Sequence, residues 1–359
     1  MPSADVVVVG AGIAGLTTAL AVADRRNRVL VFDQHRHGAA SRAAAGMLAP
    51  SVEGLPDNVL PAAIAARDFY PEFLARLATR TGMSIPLDRR GILELASTTA
   101  DLAVLVGGAA ENAEVLDAAA LVQLEPQLGG HAGALFHPCD GAVDNVALMH
   151  ALEDAVARQP RIERIIAAVD SVAFGRDGAI VTTTTSQSVA CGHVVLAPGA
   201  WMAGINGLPR IVPVRPVGGQ LLLLPGGAIG HVTYGAGGYL VPRGSGLIIG
   251  ATSDEVGFEC RPTDAGRSAL LAIAHAASRA LRDVPLLEHW SGLRPMSPDS
   301  LPVLGADPDV PALVYSCGFS RNGILLAPWA AGHVAALISS ASAPDVLEPF
   351  SIMRFYSKP

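Results

Sequence analysis

The sequence predicts an α/β protein in which a Rossmann-like nucleotide-binding domain is interleaved with an α+β domain built on a mixed or antiparallel sheet. Three observations lead there. Two β-branched runs, residues 6–9 (VVVV) and 29–32 (VLVF), have the continuous apolar character of strands buried on both faces. Between them lies a helical stretch with Ile13, Leu16 and Leu20 at i, i+3 and i+4 spacing, ending near Arg25 with Asn27 as its C′ residue. From Pro213 the period changes to short strands joined by glycine turns, residues 214–224, 239–243 and 247–252, the pattern of an antiparallel sheet.

The junction of the first run and the first helix reads Gly10-Ala11-Gly12-Ile13-Ala14-Gly15, a G-x-G-x-x-G. Gly10 permits a tight turn, Gly12 lets backbone approach a pyrophosphate with no Cβ in the way, and Gly15 lets the helix lie close to the strand. The phosphates would sit on free N–H groups at the positive end of the helix that begins near Gly12. Asp33 ends the second run eighteen residues past Gly15, where an acidic residue accepts hydrogen bonds from an adenosine ribose, and Gln34 follows it.

At 359 residues the chain is long for one core, so two domains are expected. Half of its residues are hydrophobic and 16% are charged, the composition of a well-buried globular protein. The net charge of −7, with no basic stripe, excludes a general nucleic-acid binder. Lys358 is the only lysine, so no internal lysine is available for catalysis. Residues 6–23 carry no charge, but Asp5 stands where a signal sequence would be basic, so the stretch reads as a βα unit and not a membrane span. The expectation is a soluble, cytoplasmic protein. Cys139, Cys191, Cys260 and Cys317 are scattered with no C-x-x-C pair, which predicts reduced thiols and no zinc.

The small-residue run at 43–50 would let backbone lie against a flat ligand, or would pack a helix tightly on the sheet. Residues 58–81 read as an amphipathic helix with Ile64, Phe69, Phe73 and Leu77 inward. A strand at 91–95, helices at 100–112 and from Asp117 to Glu125, and a helix from Asp144 to Arg158 follow. Residues 162–174 form one strand, turned at 175–178 into the strand 180–185. A buried strand then leads into Ala197-Pro198-Gly199-Ala200-Trp201, whose end faces the ligand. Thr263 caps a helix to about Leu281, residues 290–295 return toward the nucleotide-binding half, and a last strand at 313–316 and helix at 322–338 complete that half. The expected boundaries are 1–80, 140–205 and 295–359 for the nucleotide-binding domain, with 81–139 and 206–294 for the substrate domain.

Together with the glycine motif and Asp33, the segments SRAAAGMLAP (41–50) and VVLAPGAW (194–201) resemble the D-amino-acid-oxidase-type flavoproteins. Residues 239–259, GLRPMSPDSLPVLG (292–305) and RNGILLAP (321–328) are most similar to the glycine oxidases of the thiamine pathway within that family. The resemblance runs the length of the chain and implies a glutathione-reductase-like domain binding FAD non-covalently. It implies contacts to FAD from Gly10, Gly12, Ile13, Ala14, Gly15, Asp33 and Gln34 in the first unit. Ser41, Arg42, Ala44, Ala45, Gly46 and Met47 follow, then Val169, Ala197, Gly199 and Trp201. Gly318, Arg321, Asn322, Gly323, Ile324 and Leu325 complete the set and put a second helix N-terminus beside the flavin. Cys317 lies within the last strand and is not assigned a covalent link.

The implied chemistry is C–N bond oxidation: hydride leaves Cα for flavin N5, the imine hydrolyses to a 2-oxo acid and ammonia or amine, and oxygen is reduced to hydrogen peroxide. The cofactor supplies the redox step, so the protein orients and stabilises. Arg294 matches the family's substrate-carboxylate arginine, where a planar guanidinium clamps a carboxylate in two hydrogen bonds; the alternative is a domain-bridging ion pair. Tyr239 matches the tyrosine supporting the same carboxylate, or packs in the sheet. Arg321 matches the family's R-N-G-I arginine beside the flavin, which implies that it stabilises the reduced ring or touches the substrate; the alternative is a structural role at the helix N-terminus. Ser253 stands where some relatives place a methionine over the substrate, leaving room for a larger or N-substituted amino acid. The lysine that activates oxygen in some relatives has no internal counterpart. The partners implied are a small amino acid or amine and molecular oxygen, with no nucleic acid; a homo-oligomer is left open. The alternatives are a dehydrogenase of this fold serving a quinone or protein acceptor, a flavoprotein subunit without turnover, and an NAD-dependent dehydrogenase.

Overall fold

With no polar side chain among them, residues 6–9 are stable only where both faces of a strand are covered. The strand Ser3–Val9 accordingly lies between two parallel neighbours, Val29–Asp33 and Ser188–Leu196. The computed structural model describes residues 3–109, 112–340 and 344–356, so Lys358 lies outside the described residues. The parallel row extends to Ile162–Ile166 on one side and Leu313–Cys317 on the other. The hairpin Val169–Gly175 and Gly178–Thr183 adds antiparallel strands, as does Val303–Ala306. One face is covered by the helices Ile13–Asp24, Leu60–Thr81, Asn145–Arg158 and Gly323–Ser340. The other is filled by a second apolar cluster containing Val7, Val9, Leu30 and Phe32.

The second sheet has eight strands, in the order Glu288–Met296, Arg215–Pro225, Gly246–Gly250, Gly238–Arg243, Val232–Gly235, Ile92–Ala96, Gly133–His137 and Glu114–Asp117. Its pairs are antiparallel except Val232–Gly235 against Ile92–Ala96, which is parallel, so the sheet is mixed. A small sheet of Met47–Leu48, Gly141–Val143 and Leu87–Asp88 sits where the chain passes between the two halves. The halves are therefore built from alternating stretches of chain.

The expected single strand at 162–174 is interrupted. Ile162–Ile166 stays in the parallel row, the chain breaks at Ala167 and Ala168, and Val169–Gly175 joins the hairpin. The inward face of Leu60–Thr81 also differs: Ala62, Ala63, Ala66, Tyr70, Leu74 and Leu77 are buried, whereas Ile64 is exposed and Phe69 and Phe73 are half-buried. Small residues win that face because the helix packs on Gly323–Ser340, close enough for the Tyr70 hydroxyl to donate to the Ile324 carbonyl. After the first helix it is Arg26, not Asn27, that takes the left-handed conformation, at φ 71°. The helix capped by Thr263 stops at Ala277 and a 3-10 turn, Arg279–Leu281, follows. Residues 290–295 are part of a strand of the second sheet and do not simply return to the first. Gly323–Ser340 is long and apolar enough to cross a membrane by length and composition, yet its apolar residues pack against Ile13–Asp24 and Leu60–Thr81.

Asp307, beyond the Val303–Ala306 strand, is buried and accepts hydrogen bonds from Arg210 Nε (2.6 Å) and the Tyr315 hydroxyl (2.7 Å). Burial works to raise its pKa, but the hydrogen bonds from Arg210 and Tyr315 outweigh burial and leave it below the ordinary carboxylate value. A depressed folded pKa means its stabilisation is fully present above the unfolded value, about 3.9, and is lost as pH falls through the folded one. Asp307→Ala should therefore cost about 3 kcal/mol at neutral pH. Urea titrations of both proteins should show that gap narrowing below pH 4, and a pH-independent gap would contradict the assignment.

Candidate active site

The ends of the parallel strands and one face of the mixed sheet open on a common cavity. At one end Gly10, with φ 104°, brings the turn against the Ala197 carbonyl, on which any Cβ would fall. Gly12 is the N-cap of the first helix and offers no capping side chain, so the first-turn N–H groups are left to outside acceptors. One is already met by another segment: the Ile13 N–H donates to Ser41 Oγ at 3.0 Å, and a Cβ on Gly12 would lie 3.1 Å from the same oxygen. Gly15 lies behind the cavity, where a side chain would collide with the Gly10 carbonyl, so its part is the close packing of helix on strand. Asp33 faces the cavity and accepts from the Ala11 N–H (3.2 Å) and the His35 N–H (3.0 Å). Ala14 and Gln34 line this end too, and Arg42, paired with Glu153 at 2.7 Å, stands at its edge.

The middle of the cavity is walled by small residues. Ala44, Ala45, Gly46 and Met47 line one side, with Gly46 at φ 80° packed on the Val143 carbonyl. They are not the helix that the composition left as an option, since a single turn, Ala40–Ala43, gives way to extended chain. Val169, Ala197, Gly199 and Trp201 line the cavity too, and the break at Ala167 and Ala168 faces the same space. Arg36 lies 5.5 Å above the Trp201 ring, which also stacks on Phe258. Gly318, Asn322, Gly323 and Ile324 close the far wall, whereas Leu325 points into the core.

The catalytic end is held by the mixed sheet. Arg294, on Glu288–Met296, pairs in register with Val217 of Arg215–Pro225. Its Nη1 donates to the Gly218 carbonyl (3.1 Å) and the Thr252 carbonyl (2.9 Å), which uses both hydrogens of that nitrogen. Among the described residues it has no ion pair within 4.0 Å, and Tyr239 lines the same cavity. The domain-bridging ion pair is thus not what Arg294 makes. Its room comes from Gly219, where a Cβ would lie 2.5 Å from Cζ. Tyr239 likewise lies over Gly250, whose Cβ would meet its hydroxyl at 2.5 Å. Burial raises the pKa of Tyr239, opposed by Arg294 and Arg321, so the phenol is protonated.

Arg321 lines the cavity, and its Nε is 3.4 Å from Glu53 Oε2. Burial pushes the Glu53 carboxyl up, and Arg321 and then Arg294 hold it down. Glu53, Gly219 and Ala49 line the site and carry no signal in local sequence beyond an isolated acid after Pro50 and a Gly-Gly inside a bulky strand. Ser253 is exposed and does not line the cavity; the neighbouring Thr252 reaches the site instead, through its carbonyl. His137, His231 and His333 are engaged elsewhere, with Glu94, Glu125 and the Trp329 ring.

An elongated cavity with a glycine cradle and an uncapped helix at one end, and alanine and glycine walls in the middle, suits a dinucleotide whose second ring system is flat. Gly12→Val would fill the cradle against Ser41. The purified variant should lose the visible absorbance of FAD, and a fully yellow Gly12→Val protein would contradict a phosphate site there.

A family model described as "FAD dependent oxidoreductase" (DAO) matches residues 5–337. The chain is 32% identical to the glycine oxidase of Geobacillus kaustophilus, over 99% of this chain and 98% of that protein. The crystal structure of glycine oxidase from Geobacillus kaustophilus superposes with a TM-score of 0.92 at 30% identity, covering 99% of each chain. A bifunctional protein ThiO/ThiG of Nostoc sp. is 34% identical over 98% of this chain but only 55% of its own length, so this chain spans about half of that relative. The matched family and the cradle agree, and the chain belongs to the DAO family of FAD-dependent oxidoreductases.

Proposed function

We propose that the protein oxidises the C–N bond of a small amino acid (glycine, sarcosine or a D-amino acid) with molecular oxygen as acceptor. The products are a 2-oxo acid, ammonia or an amine, and hydrogen peroxide. The observation that carries this reading is the Arg294 guanidinium, tied along one edge by two carbonyls and left free along the other in the cavity that houses the cofactor. That free edge suits two parallel hydrogen bonds to a carboxylate, with the Tyr239 hydroxyl beside it. Once the carboxylate is clamped, the Cα hydrogen has a defined direction.

Glu53 supports the amine end. It is the acid within electrostatic reach of both guanidiniums, and with its pKa raised by burial it accepts an N–H or holds a proton released by the substrate ammonium. Bound FAD supplies the two-electron acceptor for the Cα hydrogen. Arg294 and Arg321 provide the positive charge that oxygen reduction needs in the absence of an internal lysine. Cys317 is buried and its thiol is pushed up to about 12, so it stays protonated, which supports a cofactor held without a covalent bond. The reading makes this a cytoplasmic enzyme.

A peroxide assay on the purified yellow protein against glycine, sarcosine, D-amino acids and N-substituted glycines tests the proposal. A flavin that no amino acid bleaches under anaerobic conditions refutes it. Bleaching without peroxide points instead to a dehydrogenase with a quinone or protein acceptor. Arg294→Ala should lower kcat/KM by more than about 30-fold, the scale for losing a charged hydrogen-bonded pair. Gly219→Ala should displace the guanidinium and cost about a hundredfold while flavin content is retained.

A further inference from the structure

Beneath the catalytic end lies a second set of charges that the reaction does not touch. Asp140 stands in the turn His137-Pro138-Cys139-Asp140-Gly141, which links a strand of the mixed sheet to the small sheet. It is completely buried. Its Oδ1 accepts from Arg67 Nη1 (2.8 Å) and Ser51 Oγ (3.1 Å), and its Oδ2 accepts from the Ser51 N–H (3.0 Å). Arg67, on the Leu60–Thr81 helix, has one-tenth of its side chain exposed and also reaches Asp68.

Burying such a pair contributes little net stability and often less than a well-packed apolar pair would, so its presence asks for another reason. The geometry of Ser51 supplies one. A single carboxylate grips both the backbone N–H and the hydroxyl of this residue, which fixes its peptide plane and its side-chain rotamer together. Ser51 is the third residue of a tight turn in which the Val52 N–H donates to the Ala49 carbonyl (3.3 Å), and the residue after the turn is Glu53. Ala49 and Glu53 both face the cavity.

We infer that the buried Arg67–Asp140 pair, acting through Ser51, positions Glu53 and so sets how well the site takes an amino group. The inference rests on the role proposed for Glu53. Arg67, Asp140 and Ser51 are positioning residues, since none of them lines the cavity. The strut joins three stretches distant in sequence, the 50–54 turn, a helix of the FAD-binding half and the turn at 137–141, so the carboxylate opposite Arg321 is referenced to both halves.

The test is a cycle on the FAD-loaded enzyme. Ser51→Ala keeps the Arg67–Asp140 pair and removes only the hydroxyl bond. It should raise KM for the best amino acid about fivefold, with kcat within about twofold, the scale of one ordinary hydrogen bond. The affinity for acetate, which has a carboxylate and no amine, should not change when read from the flavin spectrum. In a Glu53→Gln background Ser51→Ala should have no further effect on KM. Amide exchange across residues 50–54 should quicken in Ser51→Ala while the rest of the protein keeps its protection. Asp140→Asn should move the same quantities further in the same direction. Equal effects of Ser51→Ala with and without Glu53, a parallel loss of acetate affinity, or faster exchange with an unchanged KM would each overturn the inference. Failure of the functional reading is separate, appearing as a wild-type flavin that no amino acid bleaches. Exchange then decides alone, and unaltered protection of residues 50–54 overturns the inference.

Discussion

A guanidinium that is to hold a substrate carboxylate must have one edge anchored and the other free, in a space from which most water has been removed. The carboxylate clamp proposed here makes that demand of Arg294. Anchoring comes from the Gly218 and Thr252 carbonyls, which consume the donors of Nη1 and no others. Room comes from Gly219, directly across the sheet from Gly292, in the strand pair that carries Arg294. Charge balance comes from Glu53, which is closer to Arg321 and feels Arg294 less. A salt bridge to the half-buried Arg294 would have filled the edge the carboxylate needs.

The anchoring carbonyls are themselves held. Thr252 Oγ1 donates to Asp254 (2.6 Å) and accepts from the Gln220 N–H (2.9 Å), while Gln220 Nε2 donates to Asp254 (3.1 Å) and its Oε1 accepts from the Thr263 N–H (2.8 Å). Gln220 is buried and follows Gly219 in the strand. Alternation along that strand sends the gap at Gly219 to the cavity face and the amide of Gln220 to the opposite one. One strand thus makes space for the arginine on one side and ties down its carbonyl partner from the other.

The nucleotide-binding half was legible because its signals are local. The first strand, the glycine turn, the first helix and Asp33 are contiguous, and each constrains its neighbour within a few residues. The catalytic end was legible only through resemblance for Arg294 and Tyr239, because strand order in the mixed sheet brings residues 219, 239 and 294 together and turns outside that sheet add residues 53 and 321, with no shared local pattern. Glu53 was missed for that reason, since an acid after Pro50 looks like any turn residue until Arg321 is seen beside it. Ser253 matches the family's substrate-side position by resemblance, yet this chain presents the Thr252 carbonyl inward and leaves Ser253 outside. On Leu60–Thr81 the expectation holds at Leu77, but Ala62, Ala63, Ala66, Tyr70 and Leu74 take the face expected of Ile64, Phe69 and Phe73. Close helix contact selects alanine there and leaves Ile64 in solvent.

The distribution of charge along the cavity separates binding from chemistry. Asp33 stands beside the glycine turn, and Arg36, Arg42 and Glu153 also line the cavity. The middle carries alanine, glycine and apolar walls, which neither compete with a ring for hydrogen bonds nor hold water against it. Only at the far end do charges return, as two arginines and one carboxylate, a net of +1 when all are ionised. In the proposed reading a bound carboxylate brings that end to neutrality and leaves Glu53 facing the amino group. An α-hydroxy acid would satisfy Arg294 equally, so discrimination between amine and alcohol would fall on Glu53.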